Sequence, residues 1–358
     1  MPRLPPDDSS GAIPDFPVAP RTGIVIEQHG GPEALRVRAL PPLPPTPDLV
    51  RVRVTHVALN HLDLWVRKGV PGHSFDLPRI PGSDVAGVLL DPAGALPVGT
   101  AVVLHPSWGC GTCAVCLDGR QDRCKAFRIR GENTDGGCVT ELAVPAWQVL
   151  AIPPHLAPQE AVALPLTLLT AWHMLVTRAR LGRGERVLVQ AGGSGVGVMA
   201  IQIALIYGCE VHATASTPER RALLEGMGVR AWPYDAIGVR EVDVVVESVG
   251  EATWAGSIRA LAWGGRLVCC GATAGPDVRL NLRAVFFKQL EIVGSTMGST
   301  GELLRAWQEV TQGRIRPVVD RVLPLSRIAD AHAILEARGA FGKIVLEQDL
   351  STARPEST

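Results

Sequence analysis

The sequence predicts an α/β protein with two lobes, one rich in β-strands and the other built on a doubly wound parallel sheet. From about residue 164 to residue 298, valine-rich runs alternate with helical stretches, which is typical of a parallel sheet covered by helices on both faces. Between about residues 22 and 152, short valine-rich runs are separated by proline and glycine, which favours strands over helices.

The β-rich lobe is expected to follow a disordered leader at residues 1–20, which is rich in proline and aspartate and has no apolar core of a signal peptide. One short helix is expected over Leu62–Lys68. The predicted strands of this lobe are Gly23–Glu27, Ala34–Ala39, Val50–Leu59, Val85–Leu90 and Ala101–Leu104.

The parallel lobe is expected to contain five strands joined by helices. The strands are Arg186–Gln190, Glu210–Thr214, Asp243–Glu247, Arg266–Cys270 and Glu291–Ser295. The helices include Val196–Tyr207, Pro218–Met227 and Ala252–Ala262. The apolar stretch Ala161–Val176 is shorter than a membrane span and contains Pro165 and His173, which predicts a buried helix.

The C-terminal part of the chain has no place in that five-stranded sheet. It contains helical patterns at Glu302–Gln312 and Arg327–Arg338 and a strand pattern at Gly342–Leu346, and we expect these to complete the first lobe. The predicted domains are therefore residues 21–163 with 299–350 for the β-rich lobe and 164–298 for the parallel lobe, followed by a polar tail at 351–358.

The charge balance disfavours two classes of partner. The 358 residues include 35 lysines and arginines against 35 aspartates and glutamates, whereas nucleic acids and anionic membranes are bound by a surplus of basic residues. We therefore expect a small-molecule substrate and neither nucleic acid nor membrane as a partner. The expected compartment is the reducing cytoplasm, where cysteines remain thiols or bind metal.

A glycine turn connects the first predicted strand of the parallel lobe to an apolar helix. The turn reads Ala191-Gly192-Gly193-Ser194-Gly195-Val196-Gly197. Glycines here allow a tight bend and a close approach of backbone amides to a pyrophosphate, and the helix N-terminus favours anions. Ser194 replaces the middle glycine of the G-x-G-x-x-G pattern but is small enough to keep the turn. Because strand, turn and helix agree, the pattern predicts a dinucleotide site rather than a glycine-rich turn without a ligand.

The residues after the second strand of the parallel lobe indicate which dinucleotide is bound. A site for NAD usually has an acidic residue there, which binds the ribose hydroxyl. Here Ser216 and Thr217 follow the strand, Arg220 begins the next helix, and Tyr234 lies further along. Hydroxyl groups and a guanidinium suit a 2′-phosphate, so NADPH is predicted in preference to NADH. The alternative is that the arginines of this helix form a solvated face.

Four of the eight cysteines lie close together in a loop at residues 108–126. They are Cys110, Cys113, Cys116 and Cys124. Four thiolates on a looping segment can surround one tetrahedral Zn²⁺ with no position left for substrate, so a structural zinc is predicted. The alternatives are a disulfide pair, which a reducing compartment disfavours, and unconnected thiols, which the close spacing disfavours.

These features together resemble the medium-chain dehydrogenase/reductase superfamily. The resemblance extends from about Arg21 to Leu346, and several segments are similar to its quinone oxidoreductase branch. Those segments are Asn60–Asp63 (NHLD), Pro81–Gly87 (PGSDVAG), Leu169–Trp172 (LTAW), Gly294–Gly298 (GSTMG) and Phe341–Val345 (FGKIV). The resemblance implies a GroES-like catalytic lobe, a Rossmann cofactor lobe and a cleft between them that holds the nicotinamide.

The sequence departs from the alcohol dehydrogenase branch at the positions that bind a catalytic zinc. In that branch the ligands are a Cys, a His in a G-H-E segment and a later Cys or Asp. The matching positions here are Asn60, Ser83 and Leu166, none of which is a usual zinc ligand. Without that zinc no Lewis acid lowers the pKa of a bound alcohol, so the sequence favours reduction of an activated acceptor such as a quinone, enone or enoyl thioester.

The resemblance also suggests which residues act in the cleft. Asn60 is the first candidate to donate a hydrogen bond to the acceptor oxygen or the nicotinamide ribose, and His61 could relay a proton. Thr170 is expected on the nicotinamide side of the cofactor. The residues expected to border the cofactor by family position are Gly271, Ala272 and Lys343.

Asp63 is a further catalytic candidate, and it is expected to line the cleft with Ser83 and Asp84. A structural role, such as an Asp84–arginine pair, explains these three residues at least as well. Two other readings of the chain stay open. One is a zinc-dependent alcohol dehydrogenase with atypical ligands, and the other is a protein that binds NADPH without catalysis. The family commonly pairs subunits through the edge of the Rossmann sheet, so Leu290–Thr296 is the expected edge strand of a homodimer or homotetramer.

Overall fold

The computed structural model of the protein describes residues 21–44 and 46–350, and the expected leader and tail lie outside these residues. The strands of the described chain are β1 (Arg21–Ile26), β2 (Leu35–Leu40), β3 (Leu49–Ala58), β4 (Asp84–Leu89), β5 (Ala101–Leu104), β6 (Ser107–Trp108), β7 (Arg128–Ile129), β8 (Glu141–Pro145), β9 (Val149–Ala151), β10 (Arg186–Val189), β11 (Glu210–Thr214), β12 (Arg230–Trp232), β13 (Val242–Glu247), β14 (Leu261–Cys269), β15 (Glu291–Gly294), β16 (Val319–Pro324) and β17 (Lys343–Glu347).

The α-helices lie mostly in the second half of the described chain. They are α1 (His61–Lys68), α2 (Ala114–Leu117), α3 (Pro158–Ala161), α4 (Pro165–Trp172), α5 (Gly195–Ile206), α6 (Pro218–Gly226), α7 (Glu251–Ala260), α8 (Leu282–Lys288), α9 (Thr300–Thr311) and α10 (Ile328–Glu336).

The first lobe is built on a seven-stranded sheet with the order β16-β17-β3-β4-β5-β9, and β8 also pairs with β3. Neighbouring strands are antiparallel except for the parallel pair β16–β17. The last strand, β17, pairs with β3 near the start of the described chain, with Val345 opposite Ala58. The sequence analysis missed β6 to β9 and β16, because these strands are short or interrupted by charged residues.

The second lobe is a six-stranded, fully parallel sheet with the order β12-β11-β10-β13-β14-β15. This is the order of a doubly wound dinucleotide-binding sheet, so the predicted α/β class is confirmed. The sixth strand, β12, was not predicted because its three residues include no β-branched side chain. Strand β14 begins at Leu261 rather than at the expected Arg266, because Leu261 already pairs with Val242 before a register shift.

The apolar stretch predicted as a buried helix forms α4 and a π-helical segment at His173–Arg178. Taken as one continuous helical region, Pro158–Arg178 is long and apolar enough to cross a membrane. However, 83% of its most apolar window is buried inside the structure, where α4 packs against α5 and α9. This burial is typical of the core helix of a globular protein.

Helix α5 packs closely on the turn after β10 at Gly197, where a Cβ atom would lie 2.4 Å from the carbonyl oxygen of Ala191. We therefore expect Gly197→Ala to lower the free energy of unfolding by about 1–3 kcal/mol, because the backbone must move to admit the methyl group. Gly226→Ala in α6 is the control, since nothing lies within 4 Å of a Cβ there. Urea denaturation measures both variants, and equal losses of stability would contradict this account of the turn.

Candidate active site

The glycine turn lies at the carboxyl end of β10, where the strand order reverses between β10 and β13. Ligands bind at this point of open α/β sheets. Ser194 is the N-cap of α5, because its Oγ accepts a hydrogen bond from the amide of Gly197 at 3.0 Å. The residue that breaks the glycine pattern therefore stabilises the helix start. The first-turn amides of Gly195 and Val196 have no acceptor within the helix, so they are suited to a pyrophosphate.

The end of β11 carries no acidic side chain. Ser216 is exposed, and the Thr217 hydroxyl caps α6 by accepting the amide of Arg220 at 3.3 Å. The guanidinium of Arg220 donates to the carbonyl oxygen of Arg338 at 2.6 Å, whereas Arg221 donates to backbone carbonyls at the end of β11. Arg220 is therefore turned toward the C-terminal part of the chain rather than lying on a fully solvated face.

Arg338 is a cation of this region that the sequence analysis missed. It has a left-handed backbone conformation, with φ of 53°, and its guanidinium donates to the carbonyl oxygen of Thr273 at 3.3 Å. Burial raises the pKa of Tyr234, and the positive charges of Arg338 and Arg220 partly offset that effect. Two guanidinium groups thus lie near one phenol. No sequence motif marks Arg338, because only the fold brings it beside α6.

Gly271 and Ala272 follow β14 at the same edge of the sheet. Their loop is held against the loop after β13, since Thr273 and Ala274 donate their amides to Ser248 and Val249 at 3.3 and 2.7 Å. The edge therefore brings together the glycine turn, the end of β11 and the loop after β14.

The segment before β17 lies directly on the glycine turn. The amide of Gly342 donates to the carbonyl oxygen of Gly193 at 2.7 Å. A Cβ on Gly193 would lie 2.6 Å from the ring of Phe341, and a Cβ on Gly195 would lie 2.9 Å from Cδ of Lys343. Because these two glycines have no side chain, Phe341 and Lys343 of the first lobe can pack directly against the turn.

Lys343, Asp84 and Asn60 form a buried cluster of the first lobe, and a hydrogen bond from Leu166 joins it to the second lobe. The ammonium of Lys343 lies 2.5 Å from Oδ1 of Asn60 and 2.9 Å from Oδ2 of Asp84. The amide of Asn60 donates to the same Asp84 oxygen at 2.9 Å, and the backbone amide of Leu166 donates to the other at 2.7 Å. Asp84 thus pairs with a lysine, and the suggested arginine pair is wrong. All three side chains are at most 7% exposed.

Asp63 has a structural role at the start of α1. Its carboxylate accepts the backbone amides of Asn60 and Gly82 at 2.7 and 2.9 Å. Burial raises the pKa of Asp63 to about 6, although these two hydrogen bonds act in the opposite direction. These contacts support the structural role that was the alternative for Asp63, because the carboxylate caps α1 and binds the backbone at Gly82.

His61 begins α1 directly after Asn60, and Thr170 lies one turn after Leu166 in α4. Burial lowers the pKa of His61, and the charges of Arg338, Lys343 and Lys68 lower it further, so the neutral imidazole is favoured. The hydroxyl of Thr170 is within hydrogen-bonding distance of the carbonyl oxygen of Leu166 (2.8 Å) and the sulfur of Met297 (3.7 Å).

The four cysteines of the loop at residues 108–126 converge. Their sulfur atoms all lie within 4.8 Å of one another, and two of the separations are 3.9 Å (Cys110 to Cys116) and 3.7 Å (Cys113 to Cys124). Sulfur atoms at the corners of a Zn–S tetrahedron with bonds of about 2.3 Å are separated by roughly 3.8 Å. These four residues therefore fit a zinc ion. Among residues 21–44 and 46–350, no other group of three or more His, Cys, Asp or Glu side chains has a comparable geometry.

The loop with these cysteines is fastened to the second lobe through His173. Its Nε2 lies 3.6 Å from Asp122 of the loop, and its Nδ1 lies 2.9 Å from Glu302 of α9. Burial opposes ionisation of Glu302, but hydrogen bonds from His173, Thr177 and Ser299 lower its pKa to about 2. The sequence analysis did not identify this link, because its three residues are far apart in the chain.

Comparison with known proteins places both lobes in described families. Residues 46–154 match the alcohol dehydrogenase GroES-like domain, and residues 195–312 match the zinc-binding dehydrogenase domain. A solved NAD-dependent alcohol dehydrogenase is 39% identical, with a TM-score of 0.86, over 91% of this chain and 99% of that one.

Two curated relatives are similar over most of their length. The quinone oxidoreductase of Homo sapiens is 27% identical over 89% of this chain and 95% of its own. The crotonyl-CoA carboxylase/reductase of Cereibacter sphaeroides is 27% identical over 86% of this chain and 82% of its own. The resemblance found in the sequence is confirmed: the chain is an oxidoreductase that belongs to the medium-chain dehydrogenase/reductase superfamily, with a GroES-like lobe and a Rossmann lobe.

Proposed function

We propose that the chain transfers a hydride from NADPH, without a catalytic zinc, to an activated acceptor such as a quinone, an enone or an enoyl thioester. One observation carries the proposal. The positions that match the catalytic zinc ligands are Asn60, Ser83 and Leu166, and two of them are hydrogen-bonded to Asp84, which also holds the ammonium of Lys343. An amide, a hydroxyl and an alkyl group are a poor ligand set for Zn²⁺.

The relatives support this class of acceptor. One is named a quinone oxidoreductase and another a crotonyl-CoA carboxylase/reductase, and both names describe reduction of an electron-poor acceptor. Such acceptors need orientation and hydrogen bonds to the oxygen on which charge develops, but no metal.

The reduced nicotinamide, when bound, supplies the hydride. The residues proposed to hold the cofactor are Gly192, Gly193, Ser194, Gly195, Val196, Gly197, Ser216, Thr217, Arg220, Tyr234, Gly271, Ala272 and Lys343. Asn60 and Thr170 are proposed to orient the acceptor and the nicotinamide. His61 stays a weaker candidate for proton relay, because its lowered pKa makes the protonated form scarce near neutral pH. Asp63 is proposed to act only by holding Asn60 in place.

Zinc is proposed as a structural ion bound by Cys110, Cys113, Cys116 and Cys124. Four thiolates leave no open coordination position, so the ion would hold the loop rather than activate a substrate. A protein that keeps these thiols reduced and metal-bound is expected in the cytoplasm.

The proposed assembly is a homodimer or homotetramer that forms through β15. This strand is the edge of the six-stranded sheet, and the exposed side chains beside it include Phe286 (60%) and Phe287 (62%) on α8. An unpaired strand edge flanked by exposed aromatic rings favours association with a second copy of the chain.

A second candidate is alcohol oxidation with NAD⁺, which the 39% identity to a solved NAD-dependent alcohol dehydrogenase favours. A panel assay separates the two functions. We expect oxidation of NADPH with quinones, enones or enoyl thioesters, unchanged by a chelator that leaves the structural ion in place, and little reduction of NADP⁺ or NAD⁺ by alcohols. Alcohol turnover that disappears with the chelator would contradict the proposal.

The preference for NADPH is tested with Arg220→Ala and Arg338→Ala. A guanidinium bonded to a phosphate contributes about 1.5–3 kcal/mol, so each variant should bind NADPH roughly 10–100-fold more weakly. Binding of NADH should change little, since it lacks the 2′-phosphate. Arg221→Ala is the matched control, because Arg221 bonds to the backbone at Ala215 and Ser216. Equal losses for both dinucleotides, measured by fluorescence titration, would place these arginines away from the 2′-phosphate.

A further inference from the structure

The cluster at the lobe junction holds a positive charge where the zinc-bearing relatives hold a metal. Asp84 bridges Asn60 and Leu166, two of the three positions that match zinc ligands, and the ammonium of Lys343 bonds to both Asn60 and Asp84. A buried ammonium is costly unless it is paired and hydrogen-bonded. Lys343 is 4% exposed and Asp84 is fully buried, so the pair offsets that cost.

An ammonium has three hydrogens, and two acceptors are present here. The third hydrogen of Lys343 is therefore available to a ligand. The neighbouring groups are less suited to stabilise negative charge. The two oxygens of Asp63 accept hydrogen bonds from backbone amides. Those of Asp84 accept hydrogen bonds from the backbone amide of Leu166, the side-chain amide of Asn60 and the ammonium of Lys343. The neutral form of His61 is favoured by burial and by three nearby cations.

We propose that Lys343 is a catalytic residue that donates its third hydrogen to the acceptor oxygen, and so does the work of a Lewis acid in this metal-free cleft. Asp84 and Asn60 are its positioning residues. This inference rests on the proposed function, and it goes beyond the family position of Lys343, which implies only a place beside the cofactor.

With an enone as the acceptor, the reaction takes place at the β-carbon and at the carbonyl oxygen. The β-carbon gains a hydride, which carries two electrons, and NADPH becomes NADP⁺. The π electrons of the carbon–carbon bond move toward the carbonyl oxygen, which takes a proton from Nζ of Lys343, and the resulting enol becomes the saturated ketone. Water then returns a proton to the amine. The acceptor has gained one hydride, which carries both electrons, and one proton.

The backbone contact between Gly342 and the glycine turn limits the groups that the side chain of Lys343 can reach. Gly342 donates to Gly193, and the stem of Lys343 passes Gly195 at the start of α5. The same side chain therefore lies between the predicted pyrophosphate site and Asn60. From this place Lys343 could contact either the cofactor or the acceptor, so the experiment must separate these two roles.

The experiment uses the full-length protein and its Lys343→Met and Lys343→Arg variants, with Lys288→Met as a control remote from the cleft. We expect Lys343→Met to lower kcat with an enone about 100-fold at saturating NADPH, the size of effect seen when one oxyanion donor is removed. The Kd for NADPH, measured by fluorescence, should rise by a much smaller factor than kcat falls, since Lys343 also borders the cofactor. Lys343→Arg should recover part of kcat, since the cation remains.

A second measurement does not depend on turnover. 4-Nitrophenol serves as the probe because its oxygen becomes anionic with a visible colour change. We expect the protein to favour the bound phenolate, and Lys343→Met to lose that preference. A large rise in the Kd for NADPH with unchanged kcat would overturn the proposal and place Lys343 at the cofactor. Unchanged phenolate binding would also overturn it.

Ser83 supplies the rival donor, because its buried hydroxyl has no partner among the described residues. If Ser83→Ala lowers kcat and abolishes phenolate binding while Lys343→Met does neither, the oxygen is bound by Ser83 and the proposal for Lys343 is wrong. If the unaltered protein reduces no acceptor in the panel, the proposed function fails, while the phenolate and NADPH measurements still report on Lys343.

Discussion

The buried ion pair between Lys343 and Asp84 is the interaction on which the geometry of the cleft depends. Lys343 begins the last strand of the catalytic lobe, and its backbone neighbour Gly342 is hydrogen-bonded to the glycine turn of the other lobe. Asp84 begins β4 and accepts the amide of Leu166, which lies in the first turn of α4. The pair lies within one sheet, since β17 and β4 both belong to the first lobe. Gly342 and Leu166 link it to the glycine turn and the core helix of the parallel lobe. Removing one partner would leave a buried charge without compensation, which is far more costly than losing a surface pair.

The proposed function separates two roles of zinc, one in holding a loop and the other in catalysis. The convergence of Cys110, Cys113, Cys116 and Cys124 fits a closed metal site that holds a loop. That loop is connected through Asp122 and His173 to Glu302, so its conformation is tied to the parallel lobe. In the cleft, by contrast, the amide of Asn60, the carboxylate of Asp84 and the ammonium of Lys343 are bonded to one another. In the proposed function, the metal ion therefore holds the loop in its fold, and organic side chains carry out the reaction.

Features that depend on one segment can be predicted from the sequence, whereas contacts between distant segments cannot. The glycine turn, each strand or helix pattern and the four cysteines depend on residues that are close together in the chain, so their spacing carries the information. Arg338 and the partner of Asp84 could not be found in this way. Arg338 approaches Arg220 across 118 residues and Lys343 approaches Asp84 across 259, and only the completed fold determines such contacts. The short strand β12 was missed because Arg230–Trp232 lacks β-branched side chains and is held by its pairing with β11.

The most direct test of the central claim is anomalous diffraction at the zinc absorption edge, from crystals of the full-length protein grown with NADPH and a small excess of zinc. The account predicts one peak per chain, between the four cysteines of the loop at residues 108–126. A second peak of similar height beside Asn60, Ser83 or Asp84 would contradict it, because the cleft would then contain the Lewis acid that Lys343 is proposed to replace.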